Sequence, residues 1–153
     1  METLRVGTGP RLAVIADDNK KTELIDLLRT WRAELESVRL VATRDTGNLI
    51  RSRLALDVEL VEAGSRGGAY QIAARVVQGH VDAVVDLQQP SLTPASNGGT
   101  MALRQVCDIH DVTFASNLAT ADAVIASVVR RWSSVQVSTW DAAIYSCAGS
   151  MLA

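Results

Sequence analysis

Short apolar runs recur along the chain at regular intervals, separated by longer polar and mixed segments. The runs occupy residues 11–16, 38–43, 58–63, 81–87 and 112–116, and each has the length and composition of a buried strand. Residues 135–138 are interpreted as a sixth, short edge strand. Buried strands without strict alternation are typical of a parallel sheet that is covered on both faces.

The segments between the runs carry apolar residues at spacings of three and four, which indicates amphipathic helices. The predicted helical stripes are Leu24, Leu27, Leu28 and Trp31; Ile72, Ala73, Val76 and Val77; and Ala121, Val124, Ile125, Val128, Val129 and Trp132. Strands that alternate with helices predict βαβ units with right-handed crossovers. We therefore expect a three-layer α/β/α sandwich with a mostly parallel central sheet, formed as one domain by residues 11–153 after an N-terminal extension, residues 1–10.

The composition narrows the class of protein. The 153 residues are 48% hydrophobic and 21% charged, which is typical of a folded globular domain. A net charge of −2 and an aromatic content of 4% argue against nucleic-acid binding. The first ten residues lack the apolar core of a signal peptide, and no apolar run is long enough to cross a membrane. We predict a cytoplasmic protein with free thiols at Cys107 and Cys147, no histidine-based metal site and no cofactor.

Ligands of open α/β sheets bind beyond the carboxyl ends of the strands. The loops predicted there are residues 16–21, 42–47, 63–68 and 88–99, and they hold six of the ten glycines: Gly47, Gly64, Gly67, Gly68, Gly98 and Gly99. Each loop leads into a predicted helix, whose first N–H groups favour an anion. The loops therefore predict an anion-binding pocket at this edge of the sheet.

The sequences of these loops resemble the methylglyoxal synthase family. The resemblance runs from about Arg11 to Ile125. It is carried by ADDNKK (16–21), ATRDTGNLI (42–50), AGSRGGAYQ (63–71), the proline-containing loop at 88–99 and SNLATADAVI (116–125). It implies a pocket in which the family deprotonates dihydroxyacetone phosphate and then eliminates inorganic phosphate. It also implies a homo-oligomer, typically a hexamer.

The resemblance places the family's phosphate-binding residues on this chain. The lysine of the first loop corresponds to Lys21, two threonines of the second loop to Thr43 and Thr46, and a glycine of the third loop to Gly64. The family's first-loop aspartate is present as Asp18. A cation, hydroxyl donors and an open backbone suit a phosphate group.

The departures from the family fall on the groups that carry its chemistry. The family's general base corresponds to Ala69, and the histidine that polarises the substrate carbonyl corresponds to Ser96. Alanine cannot accept a proton. Acidic positions of the family fall on Gln89 and Gly99. The resemblance thus implies a phosphate site that has lost its acid–base groups, and we expect little or no conversion of dihydroxyacetone phosphate.

Other departures add charge of both signs to the predicted pocket. Asp17 and Asp45 add acidic side chains, and Arg44 and Arg66 add basic side chains. A small phosphorylated, otherwise anionic or mixed-charge ligand suits such a pocket. Asp17, Asp18 and Asp45 are also candidates for a relocated acid or base in a lyase or isomerase acting on a small phosphate ester. An oligomeric scaffolding or regulatory domain is the remaining alternative.

Overall fold

The computed structural model describes residues 9–89 and 98–150, and it describes side chains as far as residue 134. Within this part of the chain, five strands form one parallel sheet in the order β3-β2-β1-β4-β5. The strands are β1 Arg11–Ala16, β2 Arg39–Thr43, β3 Val58–Val61, β4 Ala83–Leu87 and β5 Thr113–Ala115. The five predicted strands are confirmed, and four of them are shorter than their apolar runs.

Six α-helices connect and extend the strands within the described residues. They are α1 Lys21–Thr30, α2 Arg32–Leu35, α3 Arg44–Leu54, α4 Gly68–Val77, α5 Gly98–Ile109 and α6 Leu118–Ser150. Short 3-10 turns at Asp18–Lys20 and Gly64–Arg66 precede α1 and α4. Each predicted loop therefore leads into a helix, as the sequence pattern indicates.

Helices cover both faces of the sheet, which confirms the three-layer α/β/α arrangement. Leu12 and Val14 of β1 belong to one core cluster, together with buried residues of α1, α3 and α6. Ala13 and Ile15 point to the other face and pack with α4 and α5. Because side chains of a strand alternate between faces, a residue's position in its strand decides which helix layer it meets.

The interpretation of residues 135–138 as an edge strand is wrong, because α6 runs through them. Asn117 begins this helix, and its Oδ1 accepts a hydrogen bond from the N–H of Thr120 at 2.9 Å. No proline or glycine follows before Gly149, so the sequence offers nothing that would stop the helix earlier. The β-branched residues at 135 and 137 lower helix propensity only slightly.

Two further expectations need correction. Four of the six glycines predicted in loops lie in helices instead: Gly47 in α3, Gly68 in α4, and Gly98 and Gly99 in α5. At Gly47 a side chain would collide with Leu60 of β3, so close packing explains this glycine. Val77 is 53% exposed and does not join the buried stripe of α4, which Ile72, Ala73 and Val76 form. The sequence pattern is therefore least reliable for small residues and for residues near the end of a helix.

Part of the domain prediction lies outside the described residues. Of the predicted extension, residues 1–10, only Gly9 and Pro10 are described, and Pro10 accepts a hydrogen bond from the N–H of Arg39 at 2.8 Å. Cys107 is buried with a free thiol. None of the helices in residues 9–89 and 98–150 combines the length and apolar composition that crossing a bilayer requires.

Candidate functional site

The strand order places a crevice at the carboxyl ends of β1 and β4. Strands β2 and β3 lie on one side of β1, and β4 and β5 lie on its other side. Loops after β1 and β4 therefore leave the sheet in opposite directions, which opens a binding crevice between them. The first three predicted loops, and residues 88 and 89 of the fourth, follow the carboxyl ends of β1, β2, β3 and β4.

The loop after β1 is fastened to the loop after β4. The N–H of Asp17 donates to the carbonyl of Leu87 at 3.0 Å, and Asp17 Oδ2 accepts from the N–H of Gln89 at 2.6 Å. Asn19 Nδ2 donates to Gln89 Oε1 at 2.7 Å. Asp17 thus braces the crevice, a role that the sequence pattern did not indicate.

Lys21 and Asp18 form an ion pair at the start of α1. Lys21 Nζ lies 2.5 Å from Asp18 Oδ1, and the aspartate side chain is 95% exposed whereas that of the lysine is 17% exposed. The hydrogen bond and charge of Lys21 hold the pKa of Asp18 below its ordinary value. The ammonium group is therefore anchored on a mostly buried stem at the site that the sequence assigns to phosphate.

Thr43 and Thr46 are buried together where β2 meets α3. The hydroxyl of Thr43 donates to Thr46 Oγ1 at 3.3 Å, and Thr46 Oγ1 donates to the carbonyl of Ala16 at 3.5 Å. These long hydrogen bonds connect the second loop to the end of β1. Asp45, in the first turn of α3, is exposed.

Arg44 and Arg66 both point towards Glu62 at the end of β3. Arg44 Nη2 lies 2.9 Å from Glu62 Oε1, and Arg66 Nε lies 4.0 Å from Glu62 Oε2. The Arg44 side chain is 49% exposed and that of Arg66 is 75% exposed. One carboxylate therefore partly neutralises both of the added cations and joins the second loop to the third.

The third loop brings its backbone close to β2. Gly64 is exposed and has open space where a Cβ would lie. Gly67 adopts a φ of +95°, which favours glycine, and a Cβ at Gly68 would lie 2.9 Å from Thr43 Cγ2. The start of α4 can therefore approach Thr43 only because residue 68 has no side chain.

Ala69 faces the start of α5. The Cβ of Ala69 lies 2.9 Å from the position that a Cβ at Gly99 would occupy. The sequence resemblance places family acids at both of these positions, and here two small residues pack against each other. Ser96 lies outside the described residues.

The helices that surround the crevice begin without side-chain caps. Lys20, Thr43 and Gly67 stand at the N-cap positions of α1, α3 and α4, and none makes a side-chain capping hydrogen bond. The first N–H groups of an α-helix have no partner within the helix, and the helix dipole favours negative charge there. The first N–H groups of α1 and α4, at Lys21 and Gly68, already donate to the carbonyls of Asp18 and Ala63, so it is the dipoles of the three helices that favour an anion at this edge of the sheet.

Sequence reasoning missed Asp86, which is 1% exposed at the end of β4. Gln88 Nε2 donates to its Oδ1 at 2.7 Å, whereas its Oδ2 accepts no hydrogen bond within the described part of the chain. Burial raises the pKa of this carboxyl to about 6, and the negative charge of Asp17 adds to the increase. Gln88 and, to a lesser extent, Thr100 oppose the shift by hydrogen bonding. An acidic residue inside an otherwise apolar strand was the available signal.

A cavity of about 460 Å³ lies at the opposite edge of the sheet, near the starts of β1 and β2. Its lining includes Arg11, which pairs with Asp82 at 2.9 Å, and Arg75, which pairs with Glu59 at 2.7 Å. These cations already have carboxylate partners. We therefore place the candidate site at the carboxyl edge of the sheet, where α1, α3 and α4 begin and where Lys21 lies.

Known proteins with similar sequences include methylglyoxal synthases. The chain is 42% identical over 122 residues to a methylglyoxal synthase of Burkholderia thailandensis, and the match covers 80% of this chain and 94% of that protein. A methylglyoxal synthase of Burkholderia mallei is 41% identical with the same coverage. A crystal structure of methylglyoxal synthase from Elizabethkingia anophelis NUHP1 superposes with a TM-score of 0.66 at 27% identity, covering 76% of this chain and 77% of that chain. No protein-family model matches the chain.

Proposed function

The chain belongs to the methylglyoxal synthase family, and we propose that it binds a small phosphorylated or otherwise anionic ligand with little or no conversion of dihydroxyacetone phosphate. The ligand occupies the crevice at the carboxyl ends of the strands. The observation that supports the proposal is that three helices without side-chain N-caps begin at this edge of the sheet, and that one of them begins with Lys21, whose ammonium group is held by Asp18.

Thr43, Thr46 and Gly64 complete the proposed phosphate site. The two hydroxyls are buried and joined by a hydrogen bond of 3.3 Å, so a phosphate oxygen would offer them a better acceptor. Gly64 has open space around its backbone. Asp18 orients Lys21 through their ion pair. Arg44 and Arg66 approach the ligand only by leaving Glu62, so we assign them the outer part of the site.

The proposed lack of turnover follows from Ala69 and Ser96. Resemblance to the family places its general base and its carbonyl-polarising histidine at these positions. A general acid or base commonly contributes about 10²–10⁴-fold to a rate. The contact between Ala69 and Gly99 supports the proposal, because neither of these adjacent positions supplies a carboxylate.

A relocated acid or base among Asp17, Asp18 and Asp45 is the alternative. Asp17 already accepts a short hydrogen bond from Gln89, and Lys21 lowers the pKa of Asp18, which weakens it as a proton acceptor. Asp45 is exposed on the first turn of α3. These surroundings favour binding over a lyase or isomerase reaction that depends on one of the three.

We further propose a cytoplasmic homo-oligomer, with the hexamer that the family resemblance implies. The free buried thiol of Cys107 is typical of a reducing compartment. The outer faces of α4 and α5, which pack side by side, expose Tyr70, Val77, Met101 and Ile109. Apolar patches of this kind commonly become buried between subunits. Multi-angle light scattering of the purified protein tests the assembly, and a monomeric mass would contradict it.

Thermal unfolding with added anions tests the binding proposal. Inorganic phosphate and phosphoglycolate should raise the Tm of the wild type, because a ligand that binds only the native state stabilises it. Lys21→Met should remove most of this increase. Lys20→Met is the matched control, since the neighbouring Lys20 pairs with Glu23 at 3.3 Å. Absence of any increase, or equal losses in the two variants, would overturn the proposal.

Incubation with dihydroxyacetone phosphate tests the proposed lack of turnover. The wild type should form methylglyoxal no faster than the substrate does without protein. Formation at ordinary enzymatic rates would show that another group replaces the missing base. Phosphate binding and turnover are separate measurements, so each half of the proposal stands or fails alone.

A further inference from the structure

The carboxyl group of Asp86 is a buried polar group that the proposed phosphate site leaves unexplained. It is 1% exposed, and its Oδ2 accepts no hydrogen bond from the described residues. Buried polar atoms nearly always have partners, and a buried carboxylate oxygen without one is costly. A ligand that carries a hydrogen-bond donor would satisfy this atom.

Strand register aligns Asp86 with the phosphate loops. Asp86 of β4 pairs with Ile15 of β1. Ala42 of β2 pairs with Val14, so the next residue, Thr43, also lies beside Ile15. Thr43, Ile15 and Asp86 therefore form one row across the sheet.

All three residues of this row point towards α4 and α5. Ile15, Val41 and Val84 belong to the core cluster on that face, and Thr43 and Asp86 follow the last two at a spacing of two. Thr43 Cγ2 lies beside Gly68, at the start of α4. Adjacent strands are about 4.8 Å apart, so the backbones of β2 and β4 are separated by about 10 Å.

The groups that surround this edge of the sheet differ in the charge that they favour. Lys21 and the uncapped N-termini of α1, α3 and α4 attract a phosphate, whereas Asp86 and the nearby Asp17 repel one. A simple dianion therefore suits one end of the crevice and leaves Asp86 without a partner. A ligand with a negative end and a positive end suits both.

We propose that the ligand is a small amino phosphate ester, an inference that rests on the proposed function. Its phosphate lies at Lys21, Thr43 and Thr46, and its ammonium group donates to Oδ2 of Asp86. The carboxyl has a pKa of about 6, so it is mostly ionised at neutral pH and ready to accept. The neighbouring charge that acts on this carboxyl is that of Asp17 on the β1 loop, and Gln88 and Thr100 donate hydrogen bonds to it.

Calorimetric titration at pH 7.5 with a matched pair of ligands tests the proposal. The pair is 2-aminoethyl phosphate and n-propyl phosphate, in which a methyl group replaces the ammonium group. The wild type should bind 2-aminoethyl phosphate at least about tenfold more tightly, which corresponds to about 1.4 kcal/mol. In Asp86→Asn the preference should fall to within about twofold, while n-propyl phosphate still binds. The last result also shows that the variant is folded.

Asp82→Asn is the control variant. Asp82 precedes β4 and lies at the opposite edge of the sheet, where it pairs with Arg11, so this variant removes the same charge away from the crevice. It should keep the full preference of the wild type. Equal wild-type affinities for the two esters, or a preference that survives in Asp86→Asn, would overturn the assignment to Asp86. Failure of both esters and of inorganic phosphate to bind would instead overturn the proposed function.

Discussion

The N–H of Gln89 donates to Oδ2 of Asp17 over 2.6 Å, and this hydrogen bond crosses the crevice between the loops that follow β1 and β4. The two residues are 72 positions apart in the sequence. The backbone N–H of Asp17 donates to Leu87, so the same residue holds the neighbouring loop twice. The position of one loop therefore depends on the side chain of the other.

Asp17→Ala should loosen this connection. Hydrogen bonds to charged groups contribute about 1.5–3 kcal/mol, and the partial exposure of Asp17 reduces the expected loss to about 1 kcal/mol. Urea denaturation measures the free energy of unfolding, and Asp45→Asn is the control because Asp45 is an exposed carboxylate on α3. Equal stabilities of the two variants would show that the crevice does not need the Asp17 contact.

Asp86→Asn should gain stability relative to the wild type as pH rises from 4 to 7. The pKa of Asp86 is raised from 3.8 to about 6 in the folded protein. Between these values the folded state keeps a proton that the unfolded state has lost, so the free energy of unfolding falls with rising pH. The difference between the two pKa values corresponds to roughly 3 kcal/mol, and the neutral amide removes this dependence.

Urea denaturation at several pH values checks this dependence, and Asp18→Asn provides the contrast. Lys21 lowers the pKa of Asp18, so its contribution to stability is present at neutral pH and is lost as pH falls through the folded pKa. Relative to the wild type, Asp18→Asn should therefore be less stable at neutral pH and approach it in acid. A flat difference between wild type and Asp86→Asn would show that Asp86 has an ordinary pKa.

The strands followed from the sequence because hydrophobic patterning reports burial directly. Strand β4 is buried along its whole length and β1 at every residue after Arg11, so the apolar runs alone were enough to recognise them. The strand predicted at residues 135–138 failed because short runs with β-branched residues also fit a helix, and only the cap at Asn117 and the absence of a later stop decide between them.

The details of the site depend on contacts between distant residues, which a linear pattern does not contain. Lys21, Thr43 and Thr46 were found through family motifs, whereas the position of Arg44 beside Glu62 depends on where β3 ends. Asp86 was overlooked because a strand of mostly apolar residues seemed to be core throughout. Its burial and the row that it shares with Thr43 are properties of the fold.

Gly68→Ala should destabilise the protein by about 1–3 kcal/mol, the usual cost of forcing atoms into a packed site. A Cβ at this position would collide with the carbonyl of Glu62 and lie 2.9 Å from Thr43 Cγ2. Gly64→Ala is the matched control, because its Cβ meets no atom within 4 Å and should change stability by less than about 0.5 kcal/mol. Thermal unfolding compares them, and equal Tm values would contradict the close approach of α4 to β2.

Glu62→Gln should raise the affinity for inorganic phosphate by about threefold to tenfold. The substitution removes the carboxylate that partly neutralises Arg44 and Arg66, and exposed charge interactions contribute up to about 1 kcal/mol. Glu59→Gln on the same strand is the control, since Glu59 pairs with Arg75 instead. Titration at low and high salt measures the effect, which should shrink at high salt. An unchanged affinity would show that neither arginine contributes to phosphate binding in the outer part of the site.

Ala69→Asp should not restore the family's reaction. Ala69 is 8% exposed and packs against Gly99, so a carboxylate there must displace the start of α5 or remain buried without a partner. We expect a loss of about 1–3 kcal/mol in stability and no increase in methylglyoxal formed from dihydroxyacetone phosphate. Ala74→Asp places the same charge on the exposed side of α4 and should leave stability nearly unchanged. A stable Ala69→Asp protein with a rate increase of about 10²-fold or more would show that the crevice lacks only its base.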